Sequence, residues 1–597
     1  MPFGTWGRGR VSTGLSATLI AAQAALIVPL AFGYGSTVDE LAHLAAGVTV
    51  GSFGRFDLYS VNPPLVKGVA ALPFSGFHPE TDWTSWNDWQ PGKRGEWKVG
   101  ERLLLLQGQD GQTLLALARL AVLPLVLVGG VACFLWGRDL AGPGAGLIAQ
   151  ALYTFCPNML GNGALITPDA AAASLGVVAG YAFWRWLERP SWSRVVTAGI
   201  ALGLVELTKF TWLILFPLWP MLWLVRRWLR PQGEVRPSFQ SEAGQLSLAM
   251  GIALLVIHAG YGFDRPLWKL GEPTFVSVAL AGVDSPADGG EGGNRFRGTW
   301  LGELPVPLPQ MLVRGVDLQK LDFDEGGWGY MAGEWKFGGW HEFYLYAALV
   351  KLPLGTLALI VLALFAPPTQ AKRHIHPGPS PSAPLPRERG VWCEIIESGA
   401  LGWIAVLAPG LAVFVLVSGE TGFTRFFRYA LPALPFAFVW AGRCATLTTT
   451  LWGRLLVGGC LAATIASSLW VWPHSLSYFN EAAGGPANGW KHLLDANIDW
   501  GQDLPALAAW QKEHPEATPF YLATYDQLVP ELYGLKYDRA PSWPAPGWYA
   551  VGLTELHKPE SRVKWLRDHE PVDRIGYSIL IFHVPPETRN LEPEDSR

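Results

Sequence analysis

The sequence predicts a polytopic α-helical membrane protein with a small α/β domain at its C-terminal end. Three observations support this fold class. Half of the 597 residues are hydrophobic and only 16% are charged, whereas roughly a quarter of the residues in an average soluble protein are charged. Apolar stretches of about 20 residues, enough for a helix to cross a bilayer, recur as far as residue 474. After that residue the pattern changes to short strand-like and helix-like segments.

The composition also excludes several other classes of protein. The 45 basic and 49 acidic side chains nearly balance, which argues against nucleic acid as a partner. Five cysteines are too few for a disulfide scaffold in so long a chain. None of them lies clearly in a loop that is predicted to be outside, so we expect no structural disulfide.

About eleven membrane spans are predicted from the apolar stretches. They lie near residues 13–35, 113–136, 142–160, 167–187, 194–210, 211–226, 246–262, 343–366, 399–418, 429–442 and 454–474. The first is longer than the apolar region of a secretory signal peptide and lacks a clear A-x-A cleavage site. We therefore interpret it as an uncleaved anchor.

Basic residues set the orientation, because loops on the cytoplasmic side of a membrane carry an excess of Lys and Arg. Arg8 and Arg10 precede the first span, and basic residues then fall in every second connection, including the Pro-rich linker 367–398. The sequence therefore predicts a multi-pass protein of the inner cell membrane, with its N-terminus in the cytoplasm and its C-terminus outside.

This orientation divides the chain into two predicted domains. Residues 1–474 form a membrane domain, whose loops 36–112 and 263–342 lie outside. Residues 475–597 form an extracytoplasmic α/β domain. Its predicted elements are helices at 503–513 and 560–569 and strands at 519–523, 548–553 and 577–582.

Four tryptophans crowd the first outer loop: Trp83, Trp86, Trp89 and Trp97. Tryptophan is enriched where a membrane meets water. We interpret this group as an interfacial belt rather than as a stacking site for sugar.

The sharpest group of candidate site residues follows the first span directly. Asp39 and Glu40 are adjacent carboxylates, and His43 lies one helical turn after Asp39, on the same face of a helix. A pair of acids at the start of a surface helix is the common alternative. The functional interpretation gains weight from Lys67, which follows two prolines and opens an apolar stretch in the same outer loop.

Other ionisable residues are unusual because they lie at the outer ends of spans. Lys209 ends an apolar span and could bind phosphate, or could extend to the surface and pair with Glu206. Arg425 and Arg428 lie outside, against the positive-inside bias, which suggests phosphate binding, with salt bridges to outer loops as the alternative. Asp169 follows a proline at the start of a span, where a helix dipole also favours an acid.

These residues belong to a series of motifs that resembles glycosyltransferase family 39, which includes the protein O-mannosyltransferases and the aminoarabinose transferases and has the GT-C fold. Each motif is weak alone, and their order makes the set specific. The motifs are Asp39-Glu40, PPL-x-K at 63–67, TPDA at 167–170, GIALGLVELTK at 199–209, the segment 330–354, RFFRYALPALP at 425–435, YFNE at 478–481 and DANIDWGQDL at 495–504. Asn62 and Ala496 depart from the usual pattern, and the C-terminal domain does not resemble the β-trefoil of eukaryotic mannosyltransferases.

The resemblance implies a membrane glycosyltransferase of GT-C type that moves a sugar from a polyprenyl-phosphate-linked donor to an extracytoplasmic acceptor, either a protein or a glycolipid. Its expected partners are that donor, the acceptor and membrane lipids. The expected catalytic residues are Asp39 and Glu40, and the expected donor-binding residues are His43, Lys67, Asp169, Lys209, Arg425 and Arg428.

One carboxylate base without a carboxylate nucleophile suits a single inverting displacement. No cofactor is certain. A divalent metal is left open, and Asp39 and Asp169 would be its ligands, since a metal has been considered in the aminoarabinose branch.

Two other classes of function are kept as alternatives. A membrane transporter is disfavoured because the charged residues collect at the outer surface rather than at the midplane. A non-catalytic scaffold of the cell envelope is disfavoured because the acidic motifs and the Arg-rich motif occur together, and a scaffold would not require both.

Overall fold

The structure is a computed structural model that describes residues 4–75, 95–108, 110–229, 236–367, 400–420, 422 and 425–586. Trp83, Trp86 and Trp89, and the basic residues predicted in the linker 367–398, lie outside these ranges.

The first four-fifths of the described chain is helical. The helices are α1 (Gly4–Gly33), α2 (Val38–Phe53), α3 (Pro64–Ala70), α4 (Glu96–Leu105), α5 (Asp110–Ala141), α6 (Pro143–Thr154), α7 (Pro157–Gly163), α8 (Pro168–Glu188), α9 (Trp192–Glu206), α10 (Leu215–Trp228), α11 (Phe239–Gly260), α12 (Val278–Ala281), α13 (Gln310–Glu325), α14 (Phe343–Lys351), α15 (Leu354–Leu362), α16 (Ala400–Gly419), α17 (Leu434–Ala441) and α18 (Leu451–Val471). Two small antiparallel strand pairs interrupt the helices: β1 (Trp268–Lys269) with β2 (Pro305–Val306), and the hairpin of β3 (Trp328–Met331) with β4 (Glu334–Phe337).

Six of the described helical segments are long and apolar enough to cross a membrane, or eight if each of two bent helix pairs is one span. The bent pairs are α7 with α8, at 117°, and α14 with α15, at 114°. The chain is therefore a multi-pass helical membrane protein, as predicted. Three of the eleven predicted spans, at 142–160, 194–210 and 211–226, contain shorter helices, α6, α9 and α10, of 12, 15 and 14 residues.

Proline accounts for several of these helix boundaries. Pro143, Pro157 and Pro168 each stand at the first or second position of their helix. Proline suits that position because its fixed φ is already helical and the backbone N–H it lacks would have no helical partner there. The predicted span 142–160 is broken at Pro157 for this reason, and α8 begins one residue before Asp169.

The C-terminal domain contains a five-stranded mixed sheet, which confirms the predicted α/β class. Its elements are α19 (Leu504–Glu513), β5 (Phe520–Ala523), β6 (Asp538–Arg539), β7 (Gly547–Gly552), α20 (Leu553–His557), β8 (Asp573–Ile575) and β9 (Ile579–Val584). The strand order is β6-β5-β7-β9-β8, with β6, β5 and β7 parallel and β9 antiparallel to both of its neighbours.

Three predicted strands correspond to β5, β7 and β9, whereas β6 and β8 are too short to produce an alternating pattern. The helix predicted at 560–569 is wrong. The structure has only a short 3₁₀ turn there, Lys564–Asp568.

An irregular segment, residues 475–503, joins this sheet to the membrane helices. Just after the end of α1, Gly35 N donates a hydrogen bond of 2.8 Å to the carbonyl of Gln502. Lys351 Nζ is buried and donates to the carbonyls of Leu476, at 3.0 Å, and Asn497, at 2.6 Å. These bonds bring the DANIDWGQDL motif to the ends of α1 and α14.

Candidate active site

A cavity of about 340 Å³ lies between the helix ends and the C-terminal domain. It receives side chains from α2, the start of α8, the end of α9, α13, the segment before α17 and the C-terminal domain. Its ionisable lining residues are Asp39, His43, Asp169, Lys209, Asp322, Arg425, Arg428 and Asp495. Six of these were predicted as site residues, one as catalytic (Asp39) and five as donor-binding, whereas Asp322 and Asp495 were not predicted.

Asp39 reaches this cavity because α2 begins directly before it. Thr37 is the N-cap residue, and its backbone N–H donates to Glu40 Oε2 at 2.9 Å, as in a capping box. This arrangement turns Glu40 into the protein while Asp39 faces the cavity, where its side chain is 23% exposed.

Glu40, predicted as the second catalytic residue, does not line the cavity. It is fully buried and accepts hydrogen bonds from Arg119 Nη2, at 2.6 Å, Arg119 Nε, at 2.8 Å, and Ile166 N, at 3.1 Å. Arg119 also donates to backbone carbonyls at the end of α1, including that of Gly35 at 2.7 Å. Glu40 therefore fastens α2 to α1 and α5, and so holds Asp39 in place.

Arg119 was not among the predicted site residues. The sequence did contain a signal for it, because an arginine within a predicted apolar span, here 113–136, requires a buried partner.

Asp169 and Lys209 form a buried ion pair inside the cavity. Lys209 Nζ lies 2.6 Å from Asp169 Oδ1, and both side chains are 4% exposed. The alternative that Lys209 extends to the surface and pairs with Glu206 is wrong in the structure. The buried Glu206 carboxylate has no hydrogen-bond partner among the described residues.

Close packing behind Lys209 fixes its position. The turn Phe210–Ile214 follows Lys209 directly, and Trp212 from this turn donates its indole N–H to the carbonyl of Ala172 in α8 at 3.0 Å. The indole lies flat against Gly176, where an added Cβ would come within 2.0 Å of it. A glycine at 176 therefore lets the two segments approach closely enough for Lys209 to reach Asp169.

Arg428 lies between the two carboxylates. Its Nη2 is 2.8 Å from Asp39 Oδ2 and its Nε is 3.9 Å from Asp169 Oδ2. Its guanidinium carbon also lies 4.0 Å from the ring centroid of Trp500 and 4.4 Å from that of Phe426. Arginine suits this site because its planar group can stack on aromatic rings and still donate hydrogen bonds in its plane.

Arg425 lines the cavity beside Arg428, and Asn497 orders the segment that carries them. Asn497 Nδ2 donates to the carbonyl of Arg425 at 2.6 Å, and its Oδ1 accepts from Phe427 N at 2.9 Å. The guanidinium of Arg425 packs against Gly327, where a Cβ would come within 2.3 Å of Nη2. The C-terminal motif thus positions the Arg-rich motif, although about 70 residues of sequence separate them.

His43 and Lys67 differ in their relation to the cavity. His43 lines it, with its ring centroid 5.0 Å from that of Tyr59. Burial, together with the nearby charges of Lys67 and Arg428, holds the pKa of His43 well below its usual range.

Lys67, expected to bind the donor, lies behind the cavity wall and donates to the carbonyl of Tyr59. Burial lowers the pKa of Lys67 to about 7. A lysine in that position supports the wall of the cavity and does not reach its interior.

The C-terminal domain contributes three lining residues that the sequence analysis did not assign to the site: Asp495, Trp500 and Tyr525. Tyr525 donates its hydroxyl to Asp495 Oδ1 at 3.0 Å. Burial raises the pKa of Asp495, and the charge of Arg425 opposes that effect. Trp97, interpreted as part of an interfacial belt, also lines the cavity.

The two carboxylates considered as metal ligands do not fit that role. Within the described ranges no three His, Cys, Asp or Glu side chains are grouped closely enough to hold a metal ion. Asp39 and Asp169 face Arg428 and Lys209 instead. A metal ion would have to replace these cations.

Comparisons with known proteins agree with the resemblance noted from the motifs. Residues 105–257 match the family model described as dolichyl-phosphate-mannose-protein mannosyltransferase. The matched segment includes Asp169 and Lys209. A comparison with curated proteins gives no match.

Three solved structures are similar over most of the chain. The crystal structure of ArnT from Cupriavidus metallidurans in the apo state has 14% identity and a TM-score of 0.46, covering 96% of this chain and 98% of that one. The same protein bound to undecaprenyl phosphate has 12% identity and a TM-score of 0.42, covering 97% and 98%. The apo oligosaccharyltransferase from Archaeoglobus fulgidus has 11% identity and a TM-score of 0.42, covering 92% and 71%.

Proposed function

We propose that this chain is a membrane glycosyltransferase, which moves a sugar from a polyprenyl-phosphate-linked donor to an acceptor on the extracytoplasmic side. The observation that carries the proposal is the arrangement of Asp39, Arg428, Asp169 and Lys209 in one cavity, with carboxylates and cations alternating. The family match over 105–257 supports the reaction class, because it includes two of these four residues.

The cations supply the charge that a phosphate leaving group requires. When the bond between a sugar and a phosphate breaks, negative charge develops on the phosphate oxygens, and cations already in place stabilise it. Arg428 and Lys209 are held by their carboxylate partners and by the rings of Trp500 and Tyr429, so neither has to reorganise during the reaction. Arg425 lines the same cavity and adds a third positive charge.

Asp39 is the better candidate for the catalytic base. Its side chain is 23% exposed, against 4% for Asp169, and its ion pair is with Arg428. Asp169 contacts both Lys209 and Arg428 and so serves to position the two cations. A donor phosphate that binds Arg428 would weaken the pair between Arg428 and Asp39, leaving Asp39 to accept a proton.

The proposed step is a single displacement at the anomeric carbon. The acceptor hydroxyl oxygen forms a bond to that carbon, while the bond from the carbon to the phosphate oxygen breaks and its electron pair leaves with the polyprenyl phosphate. The acceptor's proton passes to Asp39. Because no second carboxylate attacks the sugar, the configuration at the anomeric carbon inverts.

A transport function receives less support from the structure. The buried charges of the cavity form ion pairs with one another and contact aromatic rings, and they lie beside the C-terminal domain rather than between helices at mid-span.

The direct test uses purified protein in detergent with a panel of polyprenyl-phosphate-linked sugars and measures the release of polyprenyl phosphate by mass spectrometry. We expect release with at least one donor, and loss of release in Lys209→Ala. Mass spectrometry of glycoproteins and glycolipids, with and without the gene, would then identify the sugar and the acceptor. Absence of both binding and release with every donor would contradict the proposal.

A further inference from the structure

We propose that a groove on the C-terminal domain binds an uncharged, hydroxylated glycan and presents it to the cavity that contains Asp39. This inference rests on the proposed function, because it names the class of acceptor for that reaction. The groove, called the acceptor groove below, is made by two cavities that meet at Arg539 and Arg562.

The acceptor groove lies where an α/β sheet most often binds its ligand. Strands β6, β5 and β7 are parallel, and the larger cavity, of about 630 Å³, is formed by the segments that follow β5 and β7. In such sheets the crevice outside the carboxyl ends of the strands is the usual ligand site, because the connections there diverge. A volume of about 300–1,000 Å³ is typical of small-molecule sites.

One residue connects the acceptor groove to the active-site cavity. Tyr525 lines both the larger cavity and the cavity that contains Asp39. Its hydroxyl lies 3.0 Å from Asp495 Oδ1, and Asp495 is itself an active-site lining residue. The acceptor groove and the active-site cavity are therefore adjacent at Tyr525, so a ligand in the groove lies beside the cavity that contains Asp39.

The second cavity, of about 500 Å³, continues the groove away from the active site. It contains Arg539, Arg562 and Trp543, and the Trp543 side chain is 59% exposed. A sugar ring has an apolar face of C–H groups bordered by hydroxyls. A flat indole beside two arginines matches that face and that border.

The charges of the groove indicate an uncharged ligand. Its acidic residues, Asp526, Glu555 and Glu560, equal its basic residues in number, namely Arg539, Lys558 and Arg562. Asp526 pairs with Arg539 at 2.9 Å, and Glu555 pairs with Lys558 at 2.6 Å. A polyanion needs an excess of positive charge, whereas neighbouring hydroxyls of a glycan need both donors and acceptors.

A peptide acceptor fits this groove less well. Extended peptides commonly add a strand to an exposed sheet edge. The edge strand on this side, β6, has only two residues, Asp538 and Arg539, and offers little backbone for such pairing. The larger cavity is lined mainly by charged and polar side chains, with few apolar surfaces for peptide side chains.

The test measures binding of the purified full chain to an array of neutral, acidic and amino-sugar oligosaccharides, alongside a peptide array. We expect binding to at least one neutral oligosaccharide, with an affinity that falls at least tenfold in Trp543→Ala and in Arg562→Ala. Trp300→Ala is the matched control, because Trp300 is 74% exposed and lines neither cavity of the groove.

Several outcomes would overturn the inference: no binding to any oligosaccharide, preference for peptides or acidic polymers, or affinity that neither groove substitution changes. Failure of the groove can be told from failure of the proposed function. If the protein releases polyprenyl phosphate but binds no oligosaccharide, the proposal for the acceptor groove is contradicted and the proposed glycosyltransferase function is not. If the protein binds an oligosaccharide through Trp543 but neither binds nor cleaves any donor, the proposed glycosyltransferase function is contradicted and oligosaccharide binding by the groove is not.

Discussion

Single residues in the cavity have distinct tasks that conservative substitutions can separate. Arg428 is the clearest case, because it contacts two carboxylates and three aromatic rings at once. Lysine keeps the charge but cannot stack as a plane or bridge both acids. We expect Arg428→Lys to weaken binding of polyprenyl phosphate about tenfold, which is about 1.4 kcal/mol. A binding titration on the purified protein measures this loss.

Arg443→Lys provides a matched control for that prediction. Arg443 also stacks on tryptophan, with its guanidinium carbon 4.3 Å from the ring centroid of Trp440, but it lies outside the cavity. Equal affinity losses in the two variants would mean that Arg428 acts only through general stability.

Glu40 is expected to affect stability more than chemistry. Glu40→Gln leaves the buried charge of Arg119 without its ionic partner, and breaking a buried pair in this way costs about 3–5 kcal/mol. We expect a lower apparent melting temperature, with a loss of turnover in the folded fraction that is much smaller than for Asp39→Asn. An unchanged melting temperature together with abolished turnover would return Glu40 to a catalytic role.

The sequence alone could not separate Asp39 from Glu40, because adjacent carboxylates look alike in a motif. The separation depends on Arg119 and on the backbone of Ile166, both of which are distant in sequence. The role of Lys67 could not be predicted from the sequence either. Its position behind the cavity wall follows from its hydrogen bond to the Tyr59 carbonyl.

At the scale of elements, the cavity depends on how closely α8 and the turn after α9 approach. Gly176→Ala places a methyl group where the Trp212 indole lies. Such overpacking costs about 1–3 kcal/mol, and the displaced turn should carry Lys209 away from Asp169. We expect lower thermal stability and weaker binding of polyprenyl phosphate.

Gly251→Ala in α11 is the control for this prediction, because an added Cβ there meets no atom within 4 Å. Its helix should be unchanged or slightly stabilised. Identical behaviour of the two variants would show that the contact between Gly176 and Trp212 does not set the position of Lys209.

Helices and strands could be predicted where a local sequence pattern determines them. Strands β5, β7 and β9 show in the sequence because hydrophobic side chains recur along each of them. The break at Pro157 is visible as a proline, but its 117° bend between α7 and α8 depends on packing. The contributions of Asp495, Trp500 and Tyr525 to the site were not predictable, because they arise from the docking of one domain on the other.

At the scale of the whole molecule, the proposal requires a particular orientation in the membrane. The active-site cavity and the C-terminal domain lie on the same side of the helices. The bias of basic residues predicts that this side is extracytoplasmic and that the linker 367–398 is cytoplasmic. Reporter fusions in the linker and at the C-terminus should therefore give opposite signals. A cytoplasmic signal from the C-terminal fusion would place the cavity on the wrong side for an extracytoplasmic acceptor.

The central claim is that Asp39 accepts the acceptor's proton while the cations hold the donor phosphate, and one comparison tests it most directly. Turnover and donor binding are measured side by side for the wild type and for Asp39→Asn. Proton transfer by a placed side chain typically contributes about 10²–10⁴-fold, so the variant should lose turnover on that scale. Asparagine retains the shape, so donor affinity should stay within a few-fold of the wild type. Turnover within a few-fold of the wild type would contradict the assignment and make Asp169 the leading candidate for the base.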